Sequence, residues 1–346
     1  MAGENSLSSV ITRNLESLEA GCTQENLNGG NLLVYVDSQS NAPCLYQIRP
    51  GANGEGERIL IQEYEESNSV SPETMRNIIR QVSEQFPAQG MGLILWSHGT
   101  AWLPSNLTSY LRYFGQDGQN YMEINELSEV LNDFHFDFLA FDACYMGSIE
   151  VAYALKDCAD YLIASPTEIL SAGFPYNQIV QPMFASTANV TDIAQRFYNY
   201  YNEMSGMMQS ASISVIRNEA LEEVATACYD IFSHITGEEL WNVPLQDVQI
   251  LEYLSNNYHS LYDFDDYVAH LTSNHPELYT HFQNALNQCV IYKASTSKNY
   301  FSRVGMVSIE NYSGLSVYAP QQELSKLNTW YQQLSWWNRV YTAWPD

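Results

Sequence analysis

Two stretches decide the fold: Gly92-Leu93-Ile94-Leu95-Trp96-Ser97-His98-Gly99, and Phe136-Asp137-Phe138-Leu139-Ala140-Phe141-Asp142-Ala143-Cys144-Tyr145-Met146-Gly147. Each opens with a short apolar run of the length of a buried strand and then breaks into small and polar residues. Outward from them the same reading continues. Asn31–Ser38 and Pro43–Arg49 read as neighbouring strands, Asp160–Ser165 as a fifth strand and Ile213–Ile216 as a sixth. Gly51–Gly56 is a turn. Ser71 and Pro72 have the residue types of an N-cap and a first helical position, so a helix is predicted from there towards Gln85. Further helices are predicted over Ile124–Phe134 and Ser148–Leu155. Strands separated by helices mean βαβ units and a mainly parallel sheet. In such sheets ligands sit beyond the carboxyl ends of the strands. His98 and Cys144 both fall just past such an end, on different strands.

The totals fit this reading. The chain has 346 residues, 45% hydrophobic and 13% aromatic, enough for a large folded core without covalent staples. Its net charge of −26 comes from 40 acidic and 14 basic side chains. Such a surface repels phosphate backbones and anionic lipid, which argues against nucleic-acid and membrane-surface partners. No apolar run approaches the roughly 20 residues of a membrane span. Met1–Ser9 lacks the basic and apolar regions of a signal peptide, and the abrupt start fits a chain whose export segment has been removed. The six cysteines form no CxxC pair or dense framework, so most are expected to be buried free thiols.

After about residue 220 the character changes. Residues 1–220 are expected to form the catalytic domain. Residues 221–346 are expected to form a helical region packed on that core, which returns one strand near 314–319 (Gly314–Ala319). Leu324–Trp344 reads as a helix with a tryptophan-rich core face.

The chemistry concentrates at two positions. Cysteine attacks carbonyls as a thiolate, so it needs a cationic or dipolar environment to lower its pKa and a group to protonate the leaving amine. Cys144 stands where a strand gives way to a helix, which places its sulfur near the positive end of a helix dipole. His98 supplies an imidazole. The backbone N–H groups of Gly99 and Cys144 are candidates to bind a tetrahedral oxyanion. Other clusters carry less. Asp263-Phe264-Asp265-Asp266 lacks the glycine and the twelfth-position acid of an EF-hand loop and reads as a solvated helix start. His259, His270, His275 and His281 lack a metal-ligand spacing, so no metal site is expected. No P-loop or GxGxxG follows a strand.

The segments Leu95–Gly99 and Asp142–Gly147 resemble the two signature blocks of the clostripain family of cysteine peptidases, in the caspase–gingipain–legumain group. Gly115-Gln116-Asp117, Ala164-Ser165-Pro166-Thr167-Glu168 and Gly173-Phe174-Pro175-Tyr176 agree with it. The resemblance implies a caspase-like α/β fold and a His98–Cys144 dyad. It also implies protein or peptide substrates cut after Arg or Lys, with Asp142 in the pocket that receives the basic side chain. Relatives often carry a second acid where this chain has Ala172, which leaves the implied pocket half-built. Relatives are often cut by themselves in the stretch that holds Arg112, and such enzymes are usually exported to the cell surface, the periplasm or the medium. No cofactor is implied, although some relatives depend on calcium. The alternative is a caspase-like scaffold that binds without catalysing. A small-molecule amidase would need a nucleophile elbow such as GxSxG, which is missing.

Overall fold

The computed structural model describes residues 1–52, 54–102, 113–185, 188–255 and 258–341. Near the N-terminus Ala2–Gly3 (β1) lies parallel to Leu32–Ser38 (β2). Asn41–Pro50 (β3) and Gly56–Glu63 (β4) continue antiparallel, giving a sheet in the order β1-β2-β3-β4. The first two strands read from the sequence therefore pair with each other but stand outside the central sheet. The helix Pro72–Gln85 forms as expected, with the Ser71 hydroxyl accepting from Thr74 N at 3.1 Å.

Gly92–Trp96 (β5) leads into the central sheet. A short hairpin follows, Phe114–Asp117 (β6) and Asn120–Met122 (β7). The central strands Phe136–Asp142 (β8), Ala159–Ala164 (β9) and Ser212–Arg217 (β10) come next. Leu261–Asp263 (β11) stands apart, and Val290–Ser295 (β12) closes the sheet in the order β12-β10-β9-β8-β5. β5, β8 and β9 are parallel, whereas β10 and β12 run antiparallel to their neighbours. The parallel arrangement thus holds for the strands nearest His98 and Cys144, and the sheet as a whole is mixed. Apolar periodicity marks a strand without giving its direction, so the sequence carried no sign of the antiparallel edge.

Both faces of this sheet are covered, as its unbroken apolar strands require. Leu139 and Phe141 of β8 and Leu162 of β9 face one core, shared with the helices Ile124–Leu131, Ile149–Ala154 and Leu221–His234. Phe138, Ala140 and Ile163 face the other, against Ile11–Gly21, Tyr176–Met183 and Val190–Asn202. Lys298–Phe301 (β13) and Gly305–Ser308 (β14) form a hairpin. Ser316–Tyr318 (β15) pairs antiparallel with β11 and bridges Ser148 through Ser316. The strand expected near 314–319 lies there, and the strand that the C-terminal half adds to the central sheet is β12. The expected terminal helix is broken in two, Ser325–Tyr331 and Ser335–Val340. Leu327, Tyr331, Trp336 and Trp337 are buried in the same core as Leu139 and Phe141. Trp344 lies outside the described residues.

Candidate active site

In the parallel register Trp96 of β5 sits opposite Asp142 of β8. His98 and Cys144 each lie two residues beyond that pair, so the strands deliver them level with each other. Ser97 N donates to Asp142 O at 3.4 Å across the gap. Gly99 lets the two segments approach: a Cβ there would lie 2.7 Å from the Cys144 carbonyl oxygen. The two segments open a cavity of about 490 Å³ whose walls include His98, Gly99, Asp142, Cys144, Glu168 and Ile169.

Past the nucleophile position the chain turns sharply. Tyr145 adopts a left-handed conformation, φ 64°, which for a non-glycine residue costs about 1–2 kcal/mol. Tyr145 N donates to Thr167 O at 2.9 Å, and its hydroxyl donates to Glu168 Oε1 at 3.0 Å. These bonds, with Gly147 N to Ser165 O at 2.8 Å, hold the strained turn against the loop after β9. The following helix starts only at Ile149, capped by the Ser148 hydroxyl at 3.3 Å from Val151 N, and spans six residues. The dipole expected beneath Cys144 is therefore remote and short, and it gives the sulfur little help.

The electrostatics agree. The Cys144 thiol is pushed up to about 12, first by burial and then by the Glu168 carboxylate. Ile169 N, donating to Sγ at 3.3 Å, opposes that shift. Burial pushes the His98 imidazole below its usual range. At neutral pH the resting site therefore holds a neutral thiol and a neutral imidazole. The Ser6 hydroxyl lies 2.9 Å from His98 Nε2. Ser6 comes from the segment after β1, where Asn5 Nδ2 donates to Gln116 O at 2.8 Å and Leu7 reaches the cavity. Among the hydrogen bonds of the described residues the Gly99 N–H has no partner, while the Cys144 N–H acts on its own thiol.

Asp142 is buried at the floor of the cavity, and burial pushes its carboxyl up to about 6. Tyr176 hydroxyl at 2.7 Å and Phe174 N at 3.1 Å both donate to Oδ2. Gly173, φ +70°, closes over that oxygen, where a Cβ would come within 2.5 Å. Ser171 and Gly173 line the cavity, whereas Ala172 between them is half-buried and does not. Arg112 lies outside the described residues.

Of the six cysteines, all free, five are buried and Cys144 alone is half-buried. The expected helix start at Asp263 forms, with its side chain accepting from Asp266 N at 3.1 Å. Asp263 is buried, however, not solvated, because Ser313 N also donates to it. His270, His275 and His281 pair separately with Asp266, Glu239 and Glu223. Sequence reasoning missed Ser6 and Ile169 and gave Glu168 no role. Glu168 stood in a quoted block. Ser6 carried no signal, because its contact spans 92 residues of chain.

A thiol and an imidazole level with each other at the carboxyl edge of a caspase-like α/β sheet mark the class of cysteine peptidases. Within that class the chain belongs to the clostripain family, whose model, peptidase C11, matches residues 1–346. It is 46% identical to an inactive zymogen C11 protease from Parabacteroides distasonis, with TM-score 0.90 over 99% of this chain and 96% of that one. It is 31% identical to a secreted C11 cysteine protease from Bacteroides thetaiotaomicron, solved with an irreversible peptide inhibitor. That match has TM-score 0.87 over 98% and 96% of the two chains. Clostripain of Hathewaya histolytica is 23% identical over 356 residues, covering 80% of this chain. The match covers 63% of the length of that curated relative.

Proposed function

We propose that the protein is a cysteine endopeptidase that cleaves after Arg or Lys, with Cys144 as nucleophile and His98 as proton carrier. The observation that carries this reading is that the one cysteine open to a cavity shares it with His98 at the same height on the neighbouring strand. Sγ attacks the scissile carbonyl carbon, and the thiol proton passes to the neutral imidazole. With Nε2 engaged by Ser6, Nδ1 is the nitrogen left for this transfer. The oxyanion is received by the N–H groups of Gly99 and Cys144. Its collapse breaks the C–N bond as the imidazolium protonates the leaving amine. Water then hydrolyses the thioester and regenerates the thiol. A neutral resting pair suits this sequence, since the thiolate is needed only as the bond forms.

Asp142 would receive the basic side chain. Both bonds to its carboxylate fall on Oδ2, which leaves Oδ1 for a guanidinium or ammonium. One oxygen binds such a group less well than a two-oxygen fork, so selectivity should be modest. Peptides that differ only in the residue before the scissile bond test this reading. Faster cleavage of Arg and Lys peptides is expected, and faster cleavage after Leu or Ala would remove the pocket assignment. The same specificity would let the enzyme cut its own chain after Arg112. Wild-type protein should then accumulate that cut on storage, and Cys144→Ala should not. The relative described as secreted supports export of this chain as well. Recovery of mature protein outside the cytoplasm of its native host would bear that out, and retention inside would contradict it.

A further inference from the structure

Two carboxylates share the cavity with the nucleophile. Among the described residues that line it, Asp142 and Glu168 are acids and none is Lys or Arg. Within the described residues their hydrogen-bond donors are all neutral. Asp142 Oδ2 accepts from the Tyr176 hydroxyl and Phe174 N. Glu168 Oε1 accepts from the Tyr145 hydroxyl at 3.0 Å and the Ser302 hydroxyl at 3.1 Å, and Oε2 accepts from Ser302 N at 2.9 Å. Glu168 is thereby fixed between the turn after Cys144 and the β13–β14 hairpin. It immediately precedes Ile169, whose N–H lies on Sγ, and Asp142 stands two residues before Cys144.

A thiol becomes nucleophilic by losing its proton, and a nearby cation or a helix N-terminus usually favours that loss. Here the helix starts only at Ile149, and burial holds the His98 imidazole neutral at rest. The two carboxylates act on Cys144 as like charges, Glu168 more strongly than Asp142. A thiolate formed between them in a closed cavity is therefore costly. The described walls supply no Lys or Arg to offset it, whereas the substrate brings a cation of its own when its basic side chain reaches Asp142.

We propose that the substrate's basic side chain activates the nucleophile: seated on Asp142, in the cavity that Glu168 also lines, its positive charge offsets the two carboxylates and lets Cys144 release its proton to His98. This deepens the reading above and rests on its assignment of Asp142 as the receiver of that side chain. The chemical step is unchanged. Sγ passes its proton to the imidazole and uses the freed electron pair for the bond to the carbonyl carbon. In the empty site the thiol stays protonated and unreactive, and Glu168 is the residue that keeps it so.

The test is alkylation of Cys144 in the full chain at neutral pH by iodoacetamide, a small uncharged probe, with the adduct located by digestion and mass spectrometry. Sulfur displaces iodide from carbon and the thiol proton goes to solvent, so the rate follows the thiolate population. Methylguanidinium chloride stands in for the arginine side chain, and sodium chloride at equal ionic strength controls for screening. An opposite charge nearby changes a group's ionisation about tenfold or more. The thiolate population then rises by that factor while its nucleophilicity falls about threefold, so alkylation should accelerate about threefold or more. Urea, of similar shape but uncharged, should not accelerate it. Asp142→Asn should lose the acceleration. Glu168→Gln, with one like charge gone, should be alkylated faster than wild type before any methylguanidinium is added. Methylguanidinium that competes with Arg-peptide cleavage but fails to speed alkylation would overturn the proposal and keep the pocket reading. Methylguanidinium that does neither would remove both. Acceleration that survives Asp142→Asn, or a Glu168→Gln thiol no more reactive than wild type, would also overturn the proposal.

Discussion

The two edges of the central sheet carry the same side-chain types, and only one edge is built as a site. At the amino edge His135 pairs with Asp160 at 3.2 Å in solvent, and the Cys158 thiol donates to Asn132 Oδ1 at 3.2 Å. At the carboxyl edge stand His98, Asp142 and Cys144. Both thiols are pushed up to about 12, chiefly by burial, so acidity does not separate them. Architecture does. Cys144 opens to a cavity, sits beside a strained turn, and shares the cavity with an imidazole delivered by the next strand. Cys158 is fully buried. Reactive residue types become a site where parallel strands end together and their loops diverge.

The sharpest way to break this comparison is to exchange the edges one residue at a time. Cys144→Ala should abolish peptide cleavage with the fold intact, while Cys158→Ala should keep full activity. Loss of one buried sulfur costs only about 1 kcal/mol. Cleavage and circular dichroism on both variants check this, and an active Cys144→Ala would erase the distinction. Next in size is the imidazole. His98→Ala should lower kcat/KM by about 10²–10⁴-fold, and His135→Ala should leave it unchanged. Equal losses in the two variants would mean that the edges are not distinguished by chemistry.

Asp142 sharpens the comparison through pH. Its carboxyl is raised above the ordinary range to about 6, so its charge is present above that pH and is lost as pH falls through it. The ratio of kcat/KM for an Arg peptide to that for a matched Leu peptide should therefore drop as pH falls from 7.5 to 5. The ratio cancels any titration of His98 that both substrates share. Asp142→Asn should lower the ratio at pH 7.5 by about thirtyfold or more, since an uncompensated buried charge pair is costly, and should flatten its pH dependence. The smallest effect is expected at Ser6. Ser6→Ala removes one neutral hydrogen bond to His98, worth a factor of about 2–10 in kcat/KM with KM unchanged. A larger loss would make Ser6 more than a positioning residue.

Much of the carboxyl edge was legible because its signals are local. Runs such as Phe136–Phe141 mark buried strands, and a polar break after each marks the strand end. Ser71-Pro72 marked a helix start in the same way. The elements around the site were less legible because their determinants are long-range. The antiparallel direction of β10 and β12 depends on where the chain re-enters the sheet. Ser6 meets His98 only after β1 pairs with β2. The helix after Cys144 was expected from Ser148 and starts at Ile149, whereas the left-handed turn at Tyr145 was not expected, because bonds to Thr167 and Glu168 hold it. Ala172 was placed by resemblance alone, and the cavity passes it by on both sides.

The central claim is that the cavity at the carboxyl edge makes Cys144, and no other thiol in the chain, the nucleophile. Treatment with a peptidyl acyloxymethylketone ending in Lys, followed by digestion and mass spectrometry, addresses it directly. A single adduct is expected on the peptide that contains Cys144, formed at a rate that falls sharply in His98→Ala. An adduct on Cys158 or another cysteine, or none while peptide cleavage proceeds, would contradict it.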